Sequence, residues 1–293
     1  MDGTLDKDQL AAVVEKVLQR LHKGELRDQT GQMPARPRGV FRSVDEAVDA
    51  ARGAHLTLVA LPLEKRREII ANIRRRCADE VLTMSRMAVE ESGLGRVDHK
   101  IKKNLLVIHK TPGVEILQPE AFTGDDGLTL IERAPFGVIG SITPCTNPTE
   151  TIINNGIGMV AGGTGVVFNV HPMAKDTSAW CIDLINRASI EVGGPENIMT
   201  AVGSPSIESA QQVMTHKGVR LVVVTGGGAV VQAAMASGKK CVAAGPGNPP
   251  VVVDETADID VPPAASSPAP ASTTTSSAST RRRSSSSTRW PTA

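Results

Sequence analysis

Aromatic residues are scarce in this 293-residue chain, which has four Phe, two Trp and no Tyr. Nucleic-acid bases stack on aromatic side chains, and the 32 basic and 31 acidic residues nearly balance, so nucleic-acid binding is not indicated. The four cysteines are far apart and form no C-x-x-C pair, which favours a reduced, cytoplasmic protein and predicts no metal site. No apolar run approaches the roughly eighteen residues of a membrane span.

Acidic residues are also absent from the last 33 positions. Residues 261–293 contain ten Ser, six Thr, six Ala, five Pro and four Arg, with a single Val and a single Trp. Without those four arginines, 28 basic residues remain against all 31 acidic ones, so residues 1–260 are slightly acidic. A segment of this composition cannot bury enough apolar surface to form a core, and we expect it to be disordered.

The N-terminal residues 6–22 predict an amphipathic helix. Leu10, Val13, Val14, Val17, Leu18 and Leu21 recur at helical spacing, and Asp6 with Gln9 resembles a capping box. The polar residues 23–38, interrupted by Pro and Gly, resemble a linker. Two interpretations are open: the helix docks on its own domain, or it binds as a peptide in a groove of a partner protein.

Residues 39–260 alternate between helical and strand-like segments. A capping box at 43–46 opens a helix through Ala51, and further helices are predicted at about 63–76 and 79–91. From Pro135 onward, β-branched runs alternate with helical stretches: GVIGSI, GVVFNV, NIMTAV, VRLVVV and PPVVV. The pattern predicts an α/β fold with a doubly wound, mostly parallel, Rossmann-like sheet after an N-terminal helical region.

In such a sheet, ligands bind in the loops that follow the carboxyl ends of the strands. Asn147 lies in one such loop and could donate a hydrogen bond to an oxyanion, or simply cap the next helix. Gly226–Gly228 could hold a phosphate, or form a tight strand-to-helix turn. Cys145 is more typical of a small buried apolar residue than of a nucleophile, and His171 of an exposed loop residue. The G-x-G-x-x-G fingerprint is absent.

Several motifs occur together and in order: APFGVIGSITPCTNPTETIINN, FNVHPMAK, GGPEN, VVVTGGGAVV and AAGPGNPPVVVDETADI. They resemble the cofactor-binding half of the CoA-acylating aldehyde dehydrogenases, especially those of the ethanolamine- and propanediol-utilisation microcompartments. The resemblance covers about residues 40–260, and upstream it includes ESGLGRVDHKIKKN and TPGVE.

The resemblance implies a role for each matching position. Asn147 would be the oxyanion donor, Asn169 and His171 would lie near the adenine ribose or its phosphate, and Gly203 would line the adenine pocket. The implied cofactor-binding residues are Thr143, Pro144, Asn169, His171, Gly203, Thr225, Gly226 and Gly227.

The same resemblance implies an activity: NAD-dependent oxidation of a short aldehyde, acetaldehyde or propionaldehyde, with CoA as co-substrate. Ala244 occupies the place where hydrolytic members have a general-base Glu, so a thioester would persist until CoA attacks it. In this family, a helix such as residues 6–22 docks the enzyme to a microcompartment shell or core protein, and the enzymes form homo-oligomers. The alternative function is a non-catalytic cofactor-binding module that carries such a docking peptide.

The resemblance ends near residue 260, where the family continues with R-A-A-x-x-I-V-x-G-A-S-F-D-N-N-I-I-C, whose cysteine is the nucleophile. If the DNA is read one base late, the first two bases of each codon in the tail are the last two bases of a codon in the original frame. A Ser codon then stands for an original Phe, Leu, Ile or Val codon, a Thr codon for Asp, Asn, His or Tyr, and an Ala codon for Gly, Ser, Cys or Arg. Residues 272–278 then permit F-D-N-N-I-I-C at all seven positions. The hypothesis is that a single-base deletion near codon 260, either real or a sequencing error, has scrambled the catalytic segment. The chain as written then lacks the nucleophile and the catalytic domain, and is expected to be inactive.

The frame hypothesis predicts the nucleotide sequence across codons 255–293. Shifting the frame by one base near codon 260 should restore the family motif, with the cysteine codon spanning codons 277 and 278. Sequencing of the gene checks this, and codons that do not encode the motif in the shifted frame would contradict it.

Overall fold

The computed structural model describes residues 7–22 and 37–245. Its centre is a six-stranded sheet in which every neighbouring pair is parallel, in the order β1-β6-β5-β4-β7-β8. Helices cover both faces of this sheet, so the predicted α/β class and doubly wound, parallel arrangement are confirmed. Residues 1–6, 23–36 and 246–293 lie outside the description, and with them the predicted strand PPVVV, the linker and the tail.

Nine α-helices and eight strands make up the described part of the chain. The helices are α1 (Lys7–His22), α2 (Val44–Ala60), α3 (Leu63–Asp79), α4 (Val81–Ser92), α5 (Val97–Lys110), α6 (Pro148–Ala161), α7 (Lys175–Glu191), α8 (Ile207–Thr215) and α9 (Gly228–Met235). The strands are β1 (Val40–Phe41), β2 (Glu120–Gly124), β3 (Gly127–Ile131), β4 (Val138–Ile142), β5 (Gly165–Asn169), β6 (Met199–Val202), β7 (Val219–Thr225) and β8 (Lys240–Ala244).

The core is divided by the sheet into two apolar layers. One contains α3, α6 and α7, with Ile69, Ile157 and Trp180 among its buried side chains. The other contains the first half of α2 together with α8 and α9. The helix α2 approaches the sheet so closely that a Cβ on Gly165 would lie 2.3 Å from the Ala51 carbonyl oxygen. Strand β5 therefore needs glycine at its first position.

The structure corrects the predicted ends of the helices. The helix predicted to end at Ala51 continues to Ala60, and the next two end at Asp79 and Ser92. The capping box at its start is only half formed: the Glu46 backbone N–H donates to the Ser43 hydroxyl over 3.2 Å, but the Glu46 carboxylate accepts from the Arg42 N–H. Tertiary packing of α2 sustains the helix through Gly53, which the sequence pattern alone did not require.

Four strands have no counterpart among the predicted ones. The edge strand β1 has two residues, and the edge strand β8 is mostly exposed. Because β1 pairs with β6, the sheet includes residues near position 40, although it was predicted to begin only at about residue 130. The other two, β2 and β3, form a separate antiparallel hairpin whose ten residues are all exposed. Such short or exposed strands lack the continuous run of β-branched residues by which the buried strands were recognised.

Apolar side chains are exposed on the hairpin and on the sheet edge. Phe122, Leu128 and Leu130 of the hairpin are 57–69% exposed, and Val242 on β8 is 58% exposed. Large exposed apolar patches are typical of surfaces that pack against other protein.

The N-terminal helix α1 docks on the chain itself. Half-buried Val13, Val14 and Val17 pack against a cluster whose buried members include Ile101 and Leu105 of α5. Of the predicted apolar stripe, Val13, Val14 and Val17 therefore contact the chain's own helical region. None of the described helices has the length and apolarity needed to cross a membrane.

Replacing Val14 with Asp should release α1 from the cluster, because it places a charge where a half-buried apolar side chain packs. Half-burial of a valine contributes about 1 kcal/mol, so amide protection in α1 should fall by about fivefold or more. Hydrogen exchange measured by mass spectrometry tests this. The matched control is Ala12→Asp, on the exposed side of the same helix; equal loss of protection in both variants would show that α1 is not held by this contact.

Candidate active site

The predicted site residues meet at one edge of the sheet. Because all six strands are parallel, their carboxyl ends lie together, and the loops that follow them are neighbours. Of the predicted residues, Thr143, Pro144 and Asn147 follow β4, Asn169 and His171 end or follow β5, Gly203 follows β6, and Thr225, Gly226 and Gly227 end or follow β7.

Backbone hydrogen bonds join these positions from strand to strand. The Thr143 N–H donates to the Asn169 carbonyl over 3.2 Å, which ties the end of β4 to the end of β5. The Gly203 N–H donates to a β1 carbonyl over 2.8 Å, and the Gly226 N–H donates to the Ala244 carbonyl over 3.2 Å. These hydrogen bonds therefore fix the positions at which the loops begin.

The loop from β4 to α6 carries Asn147 as the residue that precedes the helix. Its side chain makes no capping hydrogen bond, so Asn147 does not cap α6 with its side chain. Instead its Oδ1 accepts from the Lys103 ammonium of α5 over 3.3 Å. The amide is half-buried and supported from a different element of the fold.

Beneath this loop lies a buried ion pair that sequence analysis missed. Lys100 and Glu150 are 2% and 5% exposed, and the Lys100 Nζ lies 3.3 Å from the Glu150 Oε1. The same ammonium donates to the Thr146 carbonyl. A buried charge needs a partner and further hydrogen bonds to offset its desolvation, and Lys100 has both.

The network continues through α6 into the helical layer. The Thr149 hydroxyl lies 2.9 Å from the Asn104 Oδ1, and the Asn104 amide donates to the Ser85 hydroxyl over 3.1 Å. These side chains lie on α4, α5 and α6, so they connect the loop that carries Asn147 to three helices. The sequence signal for them was weak. Lys100 and Asn104 are polar residues one turn apart on α5, and each directly precedes an apolar core residue, Ile101 or Leu105.

The turn from β7 to α9 is open around its glycines. Among the residues that the structure describes, a Cβ on Gly227 would meet nothing within 4 Å, and one on Gly226 would touch only Val230, at 3.8 Å. Neither glycine has a positive φ, so backbone strain does not explain them. Gly227 is the N-cap of α9 and brings no side chain to the first N–H groups of the helix, which leaves room for an anion there.

The ends of β4 and β5 present polar groups of two kinds. The Thr143 hydroxyl is buried and, within the described residues, has no hydrogen-bond partner. The Asn169 side chain is instead fully engaged, since its Oδ1 accepts from the Ser209 hydroxyl over 2.5 Å and its amide donates to the Ser206 carbonyl. Asn169 thus fixes the start of α8. The His171 Nδ1 accepts from the Met173 N–H over 3.2 Å, which leaves Nε2 as the outward donor.

The described cysteines do not form an activated nucleophile. Burial raises the pKa of the Cys77 thiol to about 12 and that of Cys181 well above its ordinary value, so both are protonated at neutral pH. Burial also raises the pKa of the Cys241 thiol. Cys145 lies half-buried in the Asn147 loop, and no described histidine hydrogen-bonds its thiol. Within residues 7–22 and 37–245 no metal-binding cluster occurs.

Described residues line two cavities, and one of them includes a predicted site residue. One, of about 510 Å³, lies between α8 and α9 and is lined by side chains such as Glu208, Gln211 and Ala233. The other, of about 190 Å³, lies beside Gly203, Val170 and α7. Gly203 is the one predicted site residue that lines either cavity. The predicted residues thus share an edge of the sheet, and Gly203 places one of these two cavities beside that edge.

Known proteins share this arrangement. A sequence model of the aldehyde dehydrogenase family matches residues 30–273. The acetaldehyde dehydrogenase (acetylating) EutE of Escherichia coli K12 is 44% identical over 220 residues, which are 75% of this chain and 46% of that protein.

Two solved structures resemble the fold closely. A propionaldehyde dehydrogenase from the fucose-utilisation microcompartment of Clostridium phytofermentans has a TM-score of 0.74 and 51% identity, covering 76% of this chain and 51% of its own. An engineered glycolyl-CoA reductase with bound NADP+ has a TM-score of 0.73 and 49% identity, covering 75% and 51%. The chain spans about half the length of the relatives it matches, and it belongs to the aldehyde dehydrogenase family.

Proposed function

We propose that this chain is the nicotinamide-binding half of a CoA-acylating aldehyde dehydrogenase that acts on acetaldehyde or propionaldehyde. The observation that carries the proposal is the assembly of the β4, β5, β6 and β7 loops at one edge of the parallel sheet, with an open glycine turn at the start of α9. The names of similar proteins support the reaction, since EutE is an acetylating acetaldehyde dehydrogenase.

The residues at this edge fit a dinucleotide. The open space over Gly226 and Gly227, next to the N-terminus of α9, suits a pyrophosphate, which glycine backbone can approach closely. The buried Thr143 hydroxyl has no partner among the described residues and can hydrogen-bond a ligand. His171 offers Nε2–H to a ribose hydroxyl or phosphate. The bound nicotinamide would accept a hydride from the substrate; NAD is the expected cofactor, and NADP, which the engineered reductase binds, is the alternative.

Asn147 and Ala244 shape the chemistry of the acyl group. The Asn147 amide would donate to the carbonyl oxygen of the substrate as negative charge develops there. Ala244, whose carbonyl accepts from the Gly226 N–H, brings no carboxylate to the site, so it cannot activate water as a general base. The acyl group would therefore pass to CoA rather than to water.

Residues 6–22 are proposed to dock a microcompartment shell or core protein. The apolar face that would do so, with Val13, Val14 and Val17, packs on the α5 cluster in this chain, so docking would require α1 to leave the cluster. A non-catalytic module with this docking peptide is the alternative function. Co-localisation with microcompartments, compared with and without residues 1–22, separates the two roles of the helix.

Gly227→Leu should weaken NAD binding without harming the fold, because the added side chain enters space that the described residues leave open and that the proposed pyrophosphate would fill. A loss of about 1.4 kcal/mol or more corresponds to a tenfold or greater rise in Kd. Isothermal titration of the chain with NAD and with NADP measures it. The control, Gly53→Leu, also adds its side chain to open space, but on α2; an equal Kd in Gly227→Leu and the unsubstituted chain would refute the pyrophosphate site.

The 293-residue chain should bind the cofactor yet show no turnover. In its reading frame, Ala278 stands where the frame hypothesis places the nucleophilic cysteine, so no thioester can form there. NADH formation from acetaldehyde or propionaldehyde with CoA should stay at the background rate, and should appear in a chain with the restored frame. CoA-dependent turnover by the chain as it stands would contradict this expectation.

A further inference from the structure

The Asn147 amide is held from across the fold by a lysine rather than by its own helix. It precedes α6 with φ −140° and ψ 65°, and its side chain does not cap that helix. The contact that it does make is with the Lys103 Nζ, 3.3 Å from its Oδ1 and 44 positions earlier in the chain. A long-range contact of this kind sets the orientation of a side chain independently of the local loop.

The chemistry of the two groups decides which way the amide is turned. A lysine ammonium has three N–H donors and no acceptor, whereas an asparagine amide has one acceptor oxygen and one NH₂ donor group. Lys103 can therefore face only the carbonyl oxygen of Asn147. The Nδ2 group is left on the other side of the amide, and it has no hydrogen-bond partner within residues 37–245.

A second lysine fixes the backbone of the same loop. Lys100 lies one helical turn before Lys103 on α5, so both ammonium groups face the same side of the helix. The Lys100 ammonium donates to the carbonyl of Thr146, directly before Asn147, and pairs with the buried Glu150 in the first turn of α6. The backbone is thus held by Lys100 and the amide by Lys103.

The two contacts differ in their surroundings. Lys100 is almost completely buried and paired, but Lys103 is half-buried. Desolvation and repulsion from the Lys100 charge lower the pKa of Lys103, and attraction to Glu150 opposes them. Lys103 therefore loses its proton more easily than a free lysine, which provides a way to switch this contact in solution.

We propose that Lys103 is a positioning residue that holds the Asn147 carbonyl oxygen, and so keeps the Nδ2–H of that amide directed to the carbonyl oxygen of a bound aldehyde or acyl group. This inference rests on the proposed role of Asn147 as oxyanion donor. Lys103 itself would not touch the substrate. Its effect would be to prevent the amide from turning and presenting an oxygen, which would repel the developing negative charge.

The test observes the Asn147 amide directly, by its ¹³Cγ resonance in protein labelled with ¹³C-asparagine and assigned with Asn147→Asp. A hydrogen bond to the amide oxygen shifts this resonance downfield. Lys103→Met should move it upfield, whereas Lys103→Arg, which keeps a cationic donor, should leave it close to that of the unsubstituted chain. Lys102→Met is the matched control, because Lys102 is exposed on the same helix. An unchanged resonance in Lys103→Met would overturn the proposal.

An alkaline titration of the same resonance keeps the test decisive if Lys103→Met does not fold. In the unsubstituted chain and in Lys102→Met, the signal should move with a midpoint below 10.5, the ordinary lysine value. In Lys103→Arg the movement should be lost, since arginine stays charged. Lys100, Glu150 and the Cys145 thiol are the other titratable groups at this loop, and they remain in Lys103→Arg. The titration is therefore repeated in the Cys145→Ser background, and a movement that persists in Cys145→Ser/Lys103→Arg would overturn the proposal.

The same spectra separate this inference from the proposed function. If the chain fails to bind NAD or NADP while the Asn147 signal responds to Lys103 as described, the positioning contact stands and the proposed nicotinamide-binding function fails. If the chain binds the cofactor and the Asn147 ¹³Cγ resonance does not change in Lys103→Met, the function stands and the positioning role fails.

Discussion

The parallel hydrogen bonding of β4 with both β5 and β7 is the constraint on which the rest of the structure depends. It places β4 near the middle of the sheet, buries all five of its residues, and brings the loop after Ile142 between the loops of its two neighbours. Parallel strands require crossover helices, so the same pairing sets the helices on both faces. Every proposed ligand contact then follows from where a strand ends.

A second layer of support comes from charge rather than from apolar packing. The Lys100–Glu150 pair is buried at the contact between α5 and α6, and continues into the hydrogen bonds of Thr149 and Asn104. A buried ion pair adds little net stability compared with an apolar pair, but losing one partner leaves an uncompensated charge. Such a network is suited to fixing one loop conformation, and here it fixes the loop that carries Asn147.

The sequence pattern predicted the buried strands well because each is a continuous β-branched run between turn residues, as in β5 and β7. It failed where that signal is missing: β1 has two residues, β8 is mostly exposed, and the β2–β3 hairpin has no buried face. The predicted helix ends also differ from the observed ones, because packing against β5 and β6 stabilises α2 beyond Gly53. Position-by-position motifs predicted the site residues, but spacing could not tell which of them line a cavity; in the structure Gly203 does.

The sequence by itself determined the fold class, the family resemblance, the order of the loops at the carboxyl edge, and the compositional change at Val261, because these depend on local pattern and on motifs read in register. Tertiary structure decided what no local pattern contains. It put Val13, Val14 and Val17 of α1 on the α5 cluster rather than leaving the helix apart. It also brought Lys103 to Asn147 across 44 positions, since the contact of two distant side chains depends on how their helices pack.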